Sequence, residues 1–575
     1  MFPRFTIVLA AAFAAYPLLA QDPPKPKTVD TPPSATSAAA DPALDEAEKS
    51  FQASQFSEAA GKYRAILEKN PASIEAQAGL VRSVLREQKL DEASELVSKF
   101  ESASPNAAAL HTVAGEVRFR RAEMPEAEKE FRKALALDGN QVRAYLGLAE
   151  ELDSFGLHRK AYDLLEKAHE IAPDDPRVMR RWLGRLPRAE RIALLERYLA
   201  APEAEDADEL RNLQHYLEFL KALGSKPSHA CRLVRPVAST ETPLRAMLSG
   251  PSHISGWGLK VGLNGHAGNF LVDTGASGLL VGRKEAEKAG VVRISENEVG
   301  GIGDKGRVSG YAGYVDSLQI GELEFHDCVV HVVDRMNLED EDGLIGADVF
   351  RAYLVSLNFR ERKLKLEPLP KRPDEETSAA PSLDTQGNDD SPQKDKTDTS
   401  EPTGENADKK PASAVVAPRN LPKDRYIAPE MKTWAPVFRF GHEVLVPTKV
   451  NELPRVLFLL DTGAFANTFS KRLAEQLGKV SSDDRMRVKG LNGNVEKVYR
   501  APDATLEFGG LRQKNVNTVT LDLTNISRHT GTEVGGILGF DMLQLLDLQI
   551  DYRDNLVNFN YDPTKLGLPN WDKKK

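Results

Sequence analysis

The chain has 575 residues, 41% of them apolar and 28% charged, with 76 basic side chains against 85 acidic ones. At roughly 150 residues per domain that length corresponds to about four domains, and the apolar fraction excludes a wholly disordered chain. A net charge of −9 lacks the basic footprint that duplex nucleic acid demands, and two cysteines exclude a disulfide scaffold or a Cys-rich zinc or iron–sulfur framework.

Residues 1–20 open with one positive charge at Arg4, continue as an apolar run from Phe5 to Ala15, and place Ala20 before Gln21. That is the layout of a secretory signal peptide. The expected location is therefore periplasmic or extracellular, without stable membrane insertion after cleavage, since no later stretch reaches 18 apolar residues. In that setting Cys231 and Cys328 suit either one disulfide or two buried thiols. Residues 21–42, rich in Pro, Ser and Thr, read as a linker.

Residues 43–223 read as helical and repetitive. Pro71, Pro105 and Pro173 fall on a 34-residue grid, with Gly139 at the missing node. Ala59, Ala93, Ala127 and Ala161 form a second grid, followed four residues later by Tyr63, Val97, Phe131 and Leu165. A small residue lets paired helices approach, the large one fills the gap, and Pro or Gly ends the unit. The pattern resembles the tetratricopeptide repeat over about 43–175, or four units. The consensus Trp and Tyr of the first helix are largely missing, so the family's groove chemistry does not carry over. The remaining helical stretch to 222 is expected to cap the solenoid.

From 231 to 368 the apolar runs become short and β-branched with frequent glycines, as strands require. Residues 369–428 form a polar, Pro-rich tether expected to be disordered. Strand patterning returns over 429–563, before a tail at 564–575. The two β regions are copies. Phe270-Leu-Val-Asp273-Thr274-Gly275-Ala276 matches Phe458-Leu-Leu-Asp461-Thr462-Gly463-Ala464 at an offset of 188. Gly343-Leu344-Ile345-Gly346 matches Gly536-Ile537-Leu538-Gly539 at 193, as does Asn358-Phe-Arg360 with Asp551-Tyr-Arg553.

Both copies resemble the retropepsin-like aspartic peptidases, the single-lobe relatives of the pepsin class. The fold expected is thus multidomain: an all-α tetratricopeptide solenoid followed by two all-β retropepsin-like lobes. The resemblance implies catalysis by Asp273 and Asp461, which share one proton and activate a water between them. Two charges 3 Å apart at an effective dielectric of about 20 repel by ~5.5 kcal/mol, so one proton stays on the pair. It implies that Thr274 and Thr462 lock the lobes, and that Gly275 and Gly463, with Ala276 and Ala464 after them, form the active-site turns. Leu344, Ile345 and Gly346, and Ile537, Leu538 and Gly539, would support those turns. Flap candidates are the glycine-rich segments Gly300-Gly301-Ile302-Gly303 and Gly490-Leu491-Asn492-Gly493.

No H-E-x-x-H, G-x-S-x-G or P-loop motif occurs. His326 and His331, five apart in an expected strand, lie on opposite faces, so no metal or cofactor is expected. The reading is an exported aspartic endopeptidase acting on peptides or proteins, with a protein partner or substrate recruited on the repeat groove. Its rivals are a non-catalytic peptide-binding or assembly protein built from the same modules, and an enzyme in which each lobe pairs with its own kind in a homodimer.

Overall fold

The computed structural model describes residues 41–202, 207–226, 231–235, 237–248, 254–302, 307–334, 336, 341–373, 375, 421–483, 486–491 and 493–562. The signal segment, the linker before Asp41, the middle of the tether and the C-terminal tail lie outside the described residues. Among the described residues no helix is long and apolar enough to cross a membrane.

The 34-residue grid becomes four helix pairs: α1 (Pro42–Gln52) with α2 (Phe56–Lys69), α3 (Ile74–Arg86) with α4 (Leu90–Ala103), α5 (Ala108–Arg120) with α6 (Met124–Leu137), and α7 (Val142–Ser154) with α8 (His158–Ile171). The four grid alanines are buried in the second helix of each pair, together with Tyr63, Val97, Phe131 and Leu165. Polar contacts repeat too. The Pro71 carbonyl accepts from Gln77 Nε2 at 2.7 Å, and one unit later the Pro105 carbonyl accepts from His111 Nε2 at 2.9 Å. The helices Pro176–Trp182, Arg188–Ala200 and Ala207–Ala222 follow and bury a separate cluster around Leu195, Tyr198 and Leu220.

Each β region is a lobe with its own sheet. In lobe 1 the strand Gly343–Gly346 runs parallel to His266–Asp273 and antiparallel to Leu279–Gly282. In lobe 2 Val534–Leu538 runs parallel to Val456–Leu460 and antiparallel to Thr468–Ser470. A six-stranded sheet then joins the lobes, where Tyr353–Asn358 pairs antiparallel with Asp547–Asp551. Ser356 stands opposite Gln549, its own copy at the 193-residue offset, and the flanking pairs Val355–Ile550 and Leu357–Leu548 are also copies exchanged. A self-complementary register of this kind marks a pseudo-twofold axis. The apolar cores of the two lobes are continuous across it.

The solenoid is seated on lobe 2 by the turns within its helix pairs. Phe119 meets Phe440 edge to face with centroids 6.1 Å apart, and Phe155 lies 5.0 Å from Phe438. Thr532 Oγ1 donates to the Phe119 carbonyl at 2.7 Å, Glu533 N donates to the Arg120 carbonyl at 2.8 Å, and Arg472 pairs with Asp91. The last solenoid helix reaches lobe 1, where Arg307 donates to Asn212 Oδ1 at 2.6 Å and Arg211 faces Glu298 at 3.4 Å.

The ends of the tether correct the expectation of disorder over 369–428. Arg372 is buried and donates to Asp554 at 2.6 Å. At the other end Asp424 accepts from the Arg159 and Lys160 amides, and the Arg425 amide donates to the Gly156 carbonyl at 2.7 Å. Arg425 stacks over Phe155 with its guanidinium 3.7 Å from the ring centre. These residues are ordered because charged groups and an aromatic ring, not an apolar run, hold them. Their composition therefore resembles that of the middle of the tether.

Cys231 and Cys328 are bonded to each other, which resolves the two readings left open by the sequence. The bond ties the start of lobe 1 to the strand Leu323–Val333.

Candidate active site

Each Asp-Thr-Gly lies where an apolar strand ends, so the strand carries its carboxylate to the floor of the cleft between the lobes. The threonines then interlock. Thr274 Oγ1 donates to the Leu460 carbonyl at 2.8 Å and accepts from Thr462 N at 3.0 Å. Thr462 Oγ1 reciprocates, donating to the Val272 carbonyl at 2.8 Å and accepting from Thr274 N at 3.1 Å. Both threonines are 1% exposed, so all four bonds form away from water, where an unmade bond is costly.

This interlock sets each glycine against the opposite aspartate. A Cβ at Gly275 would stand 2.8 Å from Asp461 Cγ, and one at Gly463 would stand 2.5 Å from Asp273 Cγ. Glycine is required at both places because any side chain would push the carboxylates apart. Gly275 N donates to Asp273 Oδ1 at 2.8 Å, and Gly463 N to Asp461 Oδ1 at 2.8 Å. Asp461 gains another donor from Ala464 N at 3.0 Å.

The two carboxyls face each other closely enough for the charge of one to act on the other. Burial and then the charge of Asp461 push Asp273 well above the usual carboxylate range. Asp461 is also raised by burial, while Asp273 and the two amides work against that rise. The pair therefore holds one proton between its two carboxyls.

Beneath the turns, Leu344, Ile345 and Gly346 pair with Leu271, Val272 and Asp273. In lobe 2, Ile537 and Leu538 pair with Leu459 and Leu460, Asp461 N donates to the Leu538 carbonyl at 3.1 Å, and Gly539 follows. The short helices Ala347–Phe350 and Phe540–Leu543 come next.

Above the turns stand two hairpins. Gly300, Gly301 and Ile302 follow the strand Val292–Val299, which pairs with Val308–Ile320; Gly303 lies outside the described residues. Gly490 and Gly493 face each other in a two-stranded hairpin with Leu491 at its turn, and Asn492 lies outside the described residues. The hairpins meet, since a Cβ at Gly490 would be 2.1 Å from the Ile302 carbonyl oxygen.

Two residues escaped the sequence reading. Burial holds the ring of His442, in lobe 2, below its usual range, against the opposing influence of Asp348 and the Gly275 backbone of lobe 1. Glu443 is buried beside it, pushed up to about 8 by burial and by the charge of Asp461. The available signal was a His-Glu pair 19 and 18 residues upstream of Asp461, where the first copy carries Ile254-Ser255 at the 188-residue offset. His326 and His331 lie in the strand Leu323–Val333, away from the dyad; His331 bonds to Asn297 at 2.7 Å.

The profile of the aspartyl protease family matches residues 259–349 and 446–542, one segment in each lobe. The lobes are thus retropepsin-like aspartyl protease domains, preceded by a tetratricopeptide-like solenoid. No curated protein matches the chain. Among solved structures, the crystal structure of MamA is 24% identical, spans 27% of this chain and 93% of that one, and has a TM-score of 0.20. A thermophilic TPR protein of Thermus thermophilus is 18% identical over 30% of this chain and 94% of its own, with a TM-score of 0.25.

Proposed function

We propose that the protein is an aspartic endopeptidase whose dyad, Asp273 and Asp461, forms within one chain. The observation that carries this reading is the reciprocal Thr274–Thr462 interlock, which sets Gly275 against Asp461 and Gly463 against Asp273. Asp461 takes a proton from a water as its oxygen attacks the scissile carbonyl carbon. Asp273 gives its proton to the carbonyl oxygen. The resulting gem-diol collapses when Asp461 gives its proton to the amide nitrogen and Asp273 takes one back from a gem-diol hydroxyl, so that the C–N bond breaks and the dyad is restored. The hairpins at Ile302 and Gly490 would cover an extended peptide and exclude water from it.

Export through residues 1–20 belongs to the same proposal, and the Cys231–Cys328 bond supports it because such bonds persist in oxidising compartments. So does recruitment of a protein partner or substrate by the solenoid.

The test is cleavage of a peptide library by wild type, Asp273→Asn and Asp461→Asn, each alone and mixed. Both variants should be inactive, and their mixture should stay inactive. Activity in either single variant would overturn the dyad within one chain. A wild type that retains peptides without cleaving them between about pH 4 and 7 would establish the binding-protein alternative.

A further inference from the structure

A cavity of about 280 Å³ lies where α7 meets lobe 2, lined in part by Glu150, Asp153, Arg439, Phe440, Glu443 and His529. Its connection to the dyad follows from strand register. Glu443–Val450 pairs antiparallel with Val456–Leu460, with Val446 opposite Phe458 and Leu445 opposite Leu459. Continued by two pairs, that register sets Glu443 opposite Asp461. Directly opposed residues point to the same face of a sheet, with Cβ atoms about 4.5–5.5 Å apart. Glu443 therefore stands between the cavity and the dyad.

Glu443 is 7% exposed, and its Oε2 is buried without a hydrogen-bond partner. A buried carboxyl oxygen left unpaired is costly, so this one offers an acceptor to a donor that enters the cavity. The surrounding charges select the kind of donor. Glu150 and Asp153 add two acids, each already paired on the solenoid side, with Arg181 and His158 respectively. Of the basic members, Arg439 is turned away. It pairs in register with Val444 while Phe440 pairs with Glu443, and its guanidinium donates to the Tyr552 carbonyl at 3.0 Å. His529 is the other. In lobe 1 the matching register places Gly256 opposite Asp273, so that side of the cleft has no acid at this point.

We propose that this cavity is a subsite for a lysine or arginine side chain of the peptide substrate, with Glu443 as its ionic partner and α7 of the solenoid as its outer wall. The inference rests on the proteolytic reading above and deepens it. It gives the solenoid a part in substrate selection and makes the two sides of the cleft unequal. The cation takes the place of the proton that Glu443 otherwise holds, and it enters beside a dyad carrying one negative charge.

The experiment compares matched peptides carrying lysine or norleucine at each position around the scissile bond. Wild type should prefer lysine at one position by at least about tenfold, equivalent to about 1.4 kcal/mol. In Glu443→Gln that ratio should fall towards one. Should that variant fail to fold, Glu150→Gln with Asp153→Asn alters only the outer wall and should lower the ratio about two- to threefold. Equilibrium binding of both peptides to Asp273→Asn protein gives a readout that needs no cleavage. Absence of cleavage with a lysine preference in binding would sink the protease reading and keep the subsite. Cleavage without a basic preference at any position, or a preference unchanged in Glu443→Gln, would overturn the subsite and leave the protease reading standing.

Discussion

The two lobes are copies at the centre and different at the edge. Within the interlock they are interchangeable. Thr274 and Thr462 make the same two bonds, Gly275 and Gly463 approach the opposite carboxyls, and Ser356 pairs with its own copy. Outside it they diverge. Lobe 2 carries the aromatic seam with the solenoid, the docked Arg372 and the His442-Glu443 pair, whereas lobe 1 carries the Cys231–Cys328 bond and meets the last solenoid helix. A duplicated domain must keep the groups on its pseudo-twofold axis equivalent, because each supplies the partner of the other. Groups away from the axis are under no such constraint. One such group is Glu443, which lies within the field of Asp461 where lobe 1 carries no acid at the matching register.

The sharpest test of the equivalence is the interlock. Thr274→Ala and Thr462→Ala each strip a buried amide and a buried carbonyl of their partners. Each should lower kcat/KM about a hundredfold, the scale of a small misplacement of reacting groups. The two losses should agree within a factor of about three, as measured on one peptide. A large inequality would show that the lobes are not equivalent even on the axis.

The seam is expected to be one-sided. Phe119→Ala removes the ring packed on Phe440 and should destabilise the protein by about 3 kcal/mol. Hydrogen exchange should then rise in the strands Phe438–Phe440 and Val534–Leu538 and in the solenoid, with lobe 1 unchanged. Equal loosening of lobe 1 would mean that the lobes unfold together and that the seam belongs to both.

Reducing the Cys231–Cys328 bond should do the converse, costing about 2–4 kcal/mol and loosening lobe 1 first. Urea unfolding with and without reductant, followed by exchange, measures both the size and the place of the loss.

The smallest effect compares one turn in its two copies. In lobe 1 Asn358 Oδ1 accepts from Glu361 N at 2.9 Å in an exposed turn. In lobe 2 the copy is Asp551, whose Oδ1 accepts from the Arg553 and Asp554 amides at 3.0 Å, buried beside the Arg372–Asp554 pair. Burial and then the charge of Asp554 push Asp551 up to about 7. An acid whose value is raised on folding binds its proton more tightly in the native state. Stability is therefore lost as pH climbs from the unfolded value near 3.8 through about 7. Asp551→Asn, which copies lobe 1, should remove that loss. Its melting temperature should exceed that of wild type by a few degrees at pH 8 and match it below pH 3.8. A constant difference at all pH values would exclude titration of Asp551 as the cause.

The repeated elements are legible in the chain's own periods. The alanine and proline grids specify helix pairs because each unit must bury the same face. The 188- and 193-residue offsets specify two lobes with one aspartate each, since an apolar strand running into Asp-Thr-Gly has one local solution. Tertiary structure decided what no period encodes. The turns of α3–α4, α5–α6 and α7–α8 dock on lobe 2 through scattered residues such as Asp91, Phe119 and Phe155, whose partners lie hundreds of positions away. Asp424 and Arg425 look like tether because single charged contacts leave no composition signature. Glu443 looks like an ordinary strand residue. It becomes an acid beside the dyad through its register against Asp461 and its burial beneath α7, and only the assembled chain supplies both.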